Sequence, residues 1–338
     1  MKIIATGMVS PVGFFGQASC AALRAGISAF RELPYWDCEH FPVVGAQVPG
    51  LDGVHFGPRM VKLLSRAIRE CIARAPLSAW QGVPLLISLP EPNRPGSGDL
   101  RFDFVQSVVG DLGVEFHPYL SQTIKAGNAG GFEGIRIGRE MLQDSAIPGV
   151  IVSGVDSFIC GSTIFWLDQN YRLKRPNHMD GVVPGEGAAA VLLHRSESPS
   201  SAVAQITGLG FCRETATLLS GEALLGHGLA NAAKAALNEA GWKFHEVDFR
   251  VSDVTGETYG FQEHTLAEAR LVTAVRIEPQ PIWHAADCIG ETGAAAGLIQ
   301  LAWVSDAFQR GYAPGPRALC FTSSLPGERA VAAVYQMG

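Results

Sequence analysis

The sequence carries little charge. Asp, Glu, Lys and Arg make up 17% of its 338 residues, the net charge is −6, and no run of like charges exceeds a few residues. Binding to nucleic acid without sequence preference depends on clustered Lys and Arg side chains, so the composition argues against a nucleic-acid partner. Low charge is also the usual composition of the buried centre of a protein interface. We therefore expect part of the surface to be buried in a homodimer or a heterodimer.

The sequence also lacks a cysteine pattern that would indicate disulfides or a metal site. Its cysteines are odd in number, are scattered along the chain and include no Cys-x-x-Cys pair. Such cysteines are typical of reduced thiols in a cytoplasmic protein, and we predict neither a metal nor another cofactor. The seven cysteines are Cys20, Cys38, Cys71, Cys160, Cys212, Cys288 and Cys320.

Long apolar runs are missing as well. The start of the chain, from Met1 to Met8, lacks the apolar stretch of a signal peptide. No run approaches the ~20 apolar residues that a membrane-spanning helix needs. Because 47% of the residues are nevertheless apolar, the chain can bury a sizeable core. The sequence thus predicts a cytoplasmic protein without a membrane span.

Predicted strands and helices alternate along the chain, which indicates an α/β fold with a parallel or mixed sheet. The predicted strands are Lys2–Thr6, Val83–Ser88, Gly149–Gly154, Gly187–His194, Ala202–Leu209, Phe249–Ser252, Arg317–Thr322 and Arg329–Tyr335. The predicted helices are Gln17–Ala25, Met60–Arg74, Phe102–Leu112, Ala223–Ala240 and Thr292–Arg310. Ile27–Gly57 shows no clear period and is predicted to be irregular. The two halves of the chain share this order of elements, which predicts a duplication, although no residue-level repeat supports it.

The segment Lys125–Leu142 is the most informative part of the chain. Three glycines, Gly127, Gly130 and Gly131, open a stretch whose apolar residues recur near helical spacing. A glycine turn that leads into a helix brings backbone N–H groups and the positive end of the helix dipole to one point. Such an elbow can present a nucleophile and hold an oxyanion. The residue at its tip is Asn128, which is a poor nucleophile.

Further motifs lie on both sides of this elbow along the chain. They are Thr6–Gly13 (TGMVSPVG), Val152–Ser157 (VSGVDS), Gly181–Ala188 (GVVPGEGA), Asp253–Glu257 (DVTGE) and Gly290–Gly297 (GETGAAAG), with Gly327 in a final glycine turn. Together with the elbow they resemble the beta-ketoacyl synthases, the condensing enzymes of the thiolase fold. The resemblance implies a thiolase-like α/β fold with two pseudo-duplicated halves, residues 1–180 and 181–338, in a layered α-β-α-β-α arrangement.

The chemistry of that family does not carry over to this sequence. Its enzymes accept an acyl group from acyl carrier protein on an elbow cysteine, and two histidines then assist decarboxylation of a malonyl unit. In the matching motifs, Asn128 replaces the cysteine, Asp253 and Glu291 replace the histidines, and Ala286 replaces a lysine. An amide cannot capture a thioester, and an ionised carboxylate repels a developing enolate. We therefore predict that the chain does not catalyse Claisen condensation.

Two classes of function remain. In the first, the chain is a degenerate synthase that acts by binding, as a partner subunit, an adaptor or an accessory protein. It is similar to the short synthase-like accessory proteins of type VI secretion loci, and an acyl carrier protein or a secretion effector could be its client. In the second, Asp253 and Glu291 activate water or an acyl acceptor against a thioester or an ester, with N–H groups of Gly127–Gly131 as oxyanion donors.

The same residues leave simpler interpretations open. Asn128, Asp253 and Glu291 could hold Mg²⁺ or Ca²⁺ through their oxygens, or could hydrogen-bond one another and fill a vacated pocket. Cys288, near His284, could be a relocated nucleophile, although a free cysteine in an apolar chain is more often part of the core. The sequence predicts structural roles for three further residues, namely His178, His227 and Glu186.

Overall fold

Strands and helices alternate through most of the computed structural model, which describes residues 1–54, 56–77, 79–97, 100, 103–197, 202–274, 276, 278 and 280–337. The strands are β1 (Lys2–Val9), β2 (Arg31–Trp36), β3 (Pro42–Gly45), β4 (Leu85–Leu89), β5 (Gln122–Lys125), β6 (Val150–Ser157), β7 (Glu186–His194), β8 (Ala204–Arg213), β9 (Phe249–Ser252), β10 (Ile282–His284), β11 (Arg317–Ser323) and β12 (Glu328–Gln336). The helices are α1 (Gly16–Arg24), α2 (Phe56–Arg74), α3 (Phe104–Leu112), α4 (Gly130–Met141), α5 (Gly161–Gln169), α6 (His227–Ala240), α7 (Thr258–Leu271), α8 (Ala286–Ile289) and α9 (Ala296–Arg310). The α/β class predicted from the sequence is confirmed.

Ten of the described strands form one mixed sheet in the order β10-β9-β11-β12-β8-β1-β7-β6-β4-β5. In the first half, β4 is parallel to β5 and β6, and β7 is antiparallel to β6 and β1. In the second half, β9 is parallel to β10 and β11, and β12 is antiparallel to β11 and β8. The halves meet where β1 pairs with β8. Each half therefore repeats the same five-stranded pattern, and the predicted pseudo-duplication is confirmed.

The repeat also indicates where one half ends. The strand β7 completes the pattern of the first half, since it pairs with β6 and β1. By this symmetry we propose that the division lies between His194 and Ala204, in place of a boundary at residue 180. The glycine turn at 181–185 leads directly into β7.

Three groups of helices cover the faces of the sheet. In the central layer, α4 and α9 pack against strands of both halves. On the outer face of the first half lie α2 and α3, and on the outer face of the second half lie α6 and α7. The helix α9 is buried on nearly every side, as expected for a helix that is apolar all round. Each half of the sheet thus forms one β layer, with α4 and α9 between the two layers. This arrangement confirms the predicted α-β-α-β-α layers.

The central helices α4 and α9 approach closely because glycines face the neighbouring helix. A Cβ added to Gly131 would lie 3.1 Å from Leu298 Cγ, and one added to Gly297 would lie 3.1 Å from the ring of Phe132. Larger side chains at the two glycines would push the helices apart. Since both helices begin at the candidate site, this contact fixes the relative position of their N-terminal turns.

Two predictions need correction or restriction. The segment Ile27–Gly57 was expected to be irregular, but it contains the antiparallel hairpin β2–β3, whose Leu33 and Val43 pack against α5 and its neighbours. The predicted start of α3 at Phe102 lies outside the described residues. Among the residues that are described, no helix combines the length and the apolar character needed to cross a membrane.

Candidate functional site

The elbow predicted from the glycines forms a tight turn between β5 and α4. Residues Gly127–Ala129 make a single 3₁₀ turn that continues into α4 at Gly130. Gly127 has φ +55°, and a Cβ at this position would lie 2.0 Å from Oε1 of Glu91. Only glycine satisfies both the left-handed backbone and the missing space. The turn holds Asn128, which is 8% exposed, at the start of a helix whose first residues are buried.

A second turn of the same kind faces the first. Residues Gly293–Ala295 form a 3₁₀ turn that continues into α9, and Gly293 has φ +45°. The two turns contact one another, which is the expected result of duplicated halves packed through α4 and α9. Asn128 lies within the first turn, and Glu291 lies just before the second. The duplication thus brings two helix N-termini, each with a polar residue, to one place.

The side chain of Asn128 joins the two carboxyl groups named by the sequence. Its Nδ2 donates to Oδ2 of Asp253 at 2.9 Å and to Oε1 of Glu291 at 3.3 Å. The same oxygens accept backbone hydrogen bonds, at 2.8 Å from the N–H of Ser323 and at 2.7 Å from the N–H of Gly293. The structure therefore places Asn128, Asp253 and Glu291 together in one network.

Ala286, the remaining position singled out by the motifs, makes no part of this network. It begins α8 and lines a small cleft that Asp253 and Glu291 also border. The lysine that the family resemblance implies here would place an ammonium group beside the two acids. With alanine at this position, the acids have no neighbouring cation on α8.

The carboxyl groups of Glu291 and Asp253 are both buried, but their pKa values differ. Desolvation raises the pKa of Glu291 to about 8, and the nearby charge of Asp253 adds to the shift. Desolvation also raises the pKa of Asp253, but the hydrogen bonds from Ser323 and Asn128 oppose it, so this pKa is about 6. At neutral pH, Glu291 is therefore mostly protonated and Asp253 mostly ionised. Glu291 can therefore donate a proton and Asp253 can accept one, and the amide of Asn128 lies between them.

The network borders a cavity of about 90 Å³. This volume is small beside the ~300–1,000 Å³ of pockets that enclose drug-sized ligands. Side chains of Phe158, Trp166, Leu218 and Leu325 form the apolar part of its wall. A cavity of this volume can accommodate a small group but not a long acyl chain.

Several charged residues of this wall were not predicted from the sequence. Arg94 pairs with the buried carboxylate of Asp156, and its guanidinium carbon lies 4.0 Å from the ring centroid of Phe158. Oδ2 of Asp156 also accepts the N–H of Ala294 at 2.9 Å, so this ion pair fixes the second turn. One signal was available, because an aspartate in an apolar strand requires a partner. The sequence alone does not show that the partner is Arg94.

A buried serine and a buried histidine also border the site, and neither was predicted from the sequence. Oγ of Ser252 lies 3.0 Å from Nε2 of His264. Burial, with the charge of Arg250 as a lesser cause, lowers the pKa of His264 to about 3. The imidazole is therefore neutral at physiological pH and accepts or donates a hydrogen bond without carrying charge.

The other residues considered from the sequence have ordinary environments. Cys288 is buried, and desolvation raises the pKa of its thiol, which opposes activation as a nucleophile. Nε2 of His178 donates to the carbonyl oxygen of Tyr171 at 2.7 Å, and His227 begins α6 at the surface. Among the described residues, no group of three or more His, Cys, Asp or Glu side chains is placed to hold a metal ion.

The raised pKa of Glu291 predicts a pH-dependent stability. The pKa in the folded state, about 8, exceeds the ordinary 4.5, so its stabilising contribution is complete below pH 4.5 and is lost as the pH rises through 8. Glu291→Gln cannot ionise. We expect it to leave the free energy of unfolding nearly unchanged at pH 5 and to raise it at pH 9 by on the order of 2 kcal/mol.

Urea unfolding of wild type and variant at both pH values measures this difference. Glu115→Gln, at an exposed carboxyl group outside the cavity, is the matched control and should follow the wild-type pH profile. Parallel profiles for wild type and Glu291→Gln would show that Glu291 is not held protonated by the fold.

No protein-family profile matches the sequence, and no curated protein sequence matches it. Solved structures do. The ishigamide ketosynthase/chain length factor matches over 100% of this chain and 99% of its own, with 18% identity and a TM-score of 0.79. A beta-ketoacyl synthase from Burkholderia phymatum STM815 matches over 100% of both chains, with 18% identity and a TM-score of 0.76.

A third structure is the complex of AntDE with AntF, a type II PKS ketosynthase with its acyl-carrier protein, bound to the hexaketide. It covers 99% of both chains with 14% identity and a TM-score of 0.81. The chain therefore has the ketosynthase fold over its whole length, as the resemblance of its motifs predicted. At these identities the likeness concerns the fold alone.

Proposed function

We propose that this protein is a catalytically degenerate ketosynthase-like protein that acts in the cytoplasm by binding a protein partner. The observation that carries the proposal is the amide of Asn128, which occupies the elbow tip and donates to both Asp253 and Glu291. A ketosynthase needs a thiol at this tip and two imidazoles facing it. Here an amide nitrogen without a free lone pair faces two acids, so a thioester meets no nucleophile.

Three backbone donors at the two turns are engaged by side chains. The N–H of Ala129, in the elbow, donates to Oγ of Ser324 at 2.9 Å. In the facing turn, the N–H of Gly293 donates to Glu291 and the N–H of Ala294 donates to Asp156. Ionised Asp253 would in addition repel an enolate. These contacts support a site whose polar groups satisfy one another.

The fold supports a binding role for the chain. A structure with this fold, the complex of AntDE with AntF, shows a ketosynthase bound to an acyl-carrier protein. Candidate partners are a second copy of this chain, a second ketosynthase-like subunit, an acyl carrier protein, or an effector client of a type VI secretion system. One fold can host several unrelated functions, so this fold can serve in binding without condensing chemistry.

An acylation experiment tests the loss of condensing chemistry. We expect no covalent adduct when the purified protein is incubated with acetyl-, malonyl- or octanoyl-loaded acyl carrier protein and analysed by intact mass. An active ketosynthase is the positive control. An acyl adduct on this chain, mapped to any residue of the cavity, would refute the proposal. A pull-down from the native cell identifies the partner.

A second candidate function is hydrolysis or transfer of a small acyl group. The observation that favours it is the separation of the two pKa values, about 6 for Asp253 and about 8 for Glu291, which provides a base and an acid at neutral pH. This function requires turnover of acetyl thioesters that is lost in both Asp253→Asn and Glu291→Gln and kept in Glu115→Gln. Turnover that survives both substitutions excludes these two residues as its source.

A further inference from the structure

The solvent-exposed side of α2 is cationic, although the chain as a whole has a net charge of −6. Lys62, Arg66 and Arg69 follow one another at intervals of four and three residues, which places them on one side of the helix. Arg74 lies near them in the last turn. The side chains of Lys62, Arg69 and Arg74 are 53%, 56% and 44% exposed. This side of the helix therefore presents positive charge to the solvent.

The carboxylates near these cations lie deeper and do not cancel the charge. Asp111 of α3 pairs with both Lys62 and Arg69. Glu70 pairs with Arg74 and also accepts a backbone N–H group at the start of α1. The side chains of the two acids are 17% and 13% exposed. Among the described residues of this surface, four cations thus face two carboxylates, which leaves an excess of two positive charges.

Two consecutive phenylalanines flank the cationic side of α2. Phe14 and Phe15, between β1 and α1, are 52% and 48% exposed. The guanidinium carbon of Arg66 lies 5.7 Å from the ring centroid of Phe14. Aromatic and arginine side chains are enriched among the residues that contribute most to protein–protein binding. A surface groove of about 520 Å³ is lined by Phe14, Arg66, Arg69, Glu70 and Ala73.

We propose that this α1–α2 surface, formed by Phe14, Phe15, Lys62, Arg66 and Arg69, docks an acidic segment of a partner protein. Carboxylates of the segment pair with the cations of α2, and an apolar side chain of the segment lies in the groove against Phe14. None of the five residues lines the cavity beside the elbow, so docking is independent of that site. The inference rests on the proposed binding function and names the surface and the chemistry of the partner.

Other partners fit this surface less well. Nucleic acid binds through many phosphate contacts, and an excess of two positive charges offers few. The net charge of −6 also repels a polyanion or an anionic membrane. A wholly apolar partner would remove water from the cations without replacing its hydrogen bonds. A short acidic segment confines negative charge to the place where this surface is positive, which is the arrangement that gives an interface its specificity.

Photo-crosslinking from position 14 tests the proposal. The probe is p-benzoylphenylalanine, which replaces Phe14 in the full chain in the native cell. We expect a crosslink to a partner protein, mapped by mass spectrometry to a segment of net negative charge. Arg66→Glu/Arg69→Glu in the same chain should reduce the crosslinked fraction by about tenfold or more, because attraction becomes repulsion. Arg270→Glu, at an exposed position on α7, is the matched control and should leave the crosslink unchanged.

Support requires both an acidic segment and sensitivity to charge reversal, and capture of a protein without these properties counts against the proposal. A crosslink that survives the double substitution, a crosslink to a second copy of this chain, or no crosslink to any protein would each overturn it. Crosslinking in lysate at rising salt concentration needs no variant, and the crosslinked fraction should fall as the charges are screened.

These crosslinks involve no acyl group, so the two proposals fail separately. An acyl adduct would refute the proposed loss of condensing chemistry and leave the docking surface in place. A failed crosslink from position 14 would refute only the docking surface.

Discussion

Arg59→Leu is expected to lower the free energy of unfolding by about 3–5 kcal/mol, because it leaves a buried carboxylate without its counterion. Arg59, on α2, donates from Nε to Oε2 of Glu186 at 2.8 Å and from Nη2 to Oε1 at 2.5 Å. The side chains are 4% and 0% exposed. The same guanidinium donates to the carbonyl oxygens of Leu51 and Val48, so the substitution also removes donors from two buried acceptors.

Lys62→Leu provides the matched control, since Lys62 lies on the same helix and pairs with Asp111 at the surface with 53% of its side chain exposed. Exposed ion pairs contribute about 0–1 kcal/mol. Urea unfolding at neutral pH measures both variants. A loss for Arg59→Leu no larger than that for Lys62→Leu would mean that Glu186 finds another partner. The result matters for the site because Glu186 begins β7 and accepts a hydrogen bond from the hydroxyl group of Ser157. Ser157 is next to Asp156, which fixes the second turn.

The parts of the fold that the sequence predicts are those in which one face or one strand is wholly apolar. The helix α2 shows this clearly, because Met60, Leu63, Leu64 and Ala67 recur at the spacing of one helix face and are all buried. Buried strands such as β4 and β6 likewise appear as short apolar runs. In each case burial dictates the sequence pattern, so the pattern gives the structure.

Elements whose burial is mixed were missed. The helix α7 has almost no amphipathic pattern, since Glu263 and His264 are among its buried residues while Phe261 is exposed. Its charged Glu263 is buried because it pairs with Arg329, which lies 66 positions away on β12. In the hairpin β2–β3, prolines at positions 34 and 42 obscure the alternation that would identify strands. Long-range partners, and not local preference, decide these elements.

Some residues of the candidate site can likewise be predicted from the sequence, and others cannot. Motif order sufficed to name Asn128, Asp253 and Glu291, which the structure joins through one amide. Glu91 and Arg94, by contrast, lie in a proline-rich loop without a motif, and their relation to Gly127 and Asp156 depends on how the layers pack. The sequence thus predicts which motif residues face one another, whereas the positions of Glu91 and Arg94 beside them emerge only from the assembled structure.

The largest change in activity is expected on returning a thiol and two imidazoles to the site. The variant Asn128→Cys/Asp253→His/Glu291→His should form a covalent acetyl adduct with an acetyl thioester, where the wild type forms none. A thiol at the start of α4 gains the positive end of the helix dipole, and neighbouring imidazoles lower its pKa further. Asn128→Cys alone keeps ionised Asp253 beside the sulfur, which raises the thiol pKa. We expect the single variant to react about 100-fold more slowly than the triple variant, the effect of about two pKa units on the thiolate fraction.

Intact mass spectrometry over time gives both rates, and the double variant Asp253→His/Glu291→His, which retains Asn128, should remain unmodified. An acetyl group is the appropriate probe because the cavity is small. Circular dichroism and urea unfolding establish that each variant is folded before its rate is interpreted. A folded triple variant that stays unmodified would mean that the elbow of Gly127–Ala129 does not occupy the nucleophile position of the ketosynthase fold, and the acids would then need an explanation other than loss of condensing chemistry. An adduct confined to variants with cysteine at position 128 would instead show that the residue at the elbow tip decides whether this chain can be acylated.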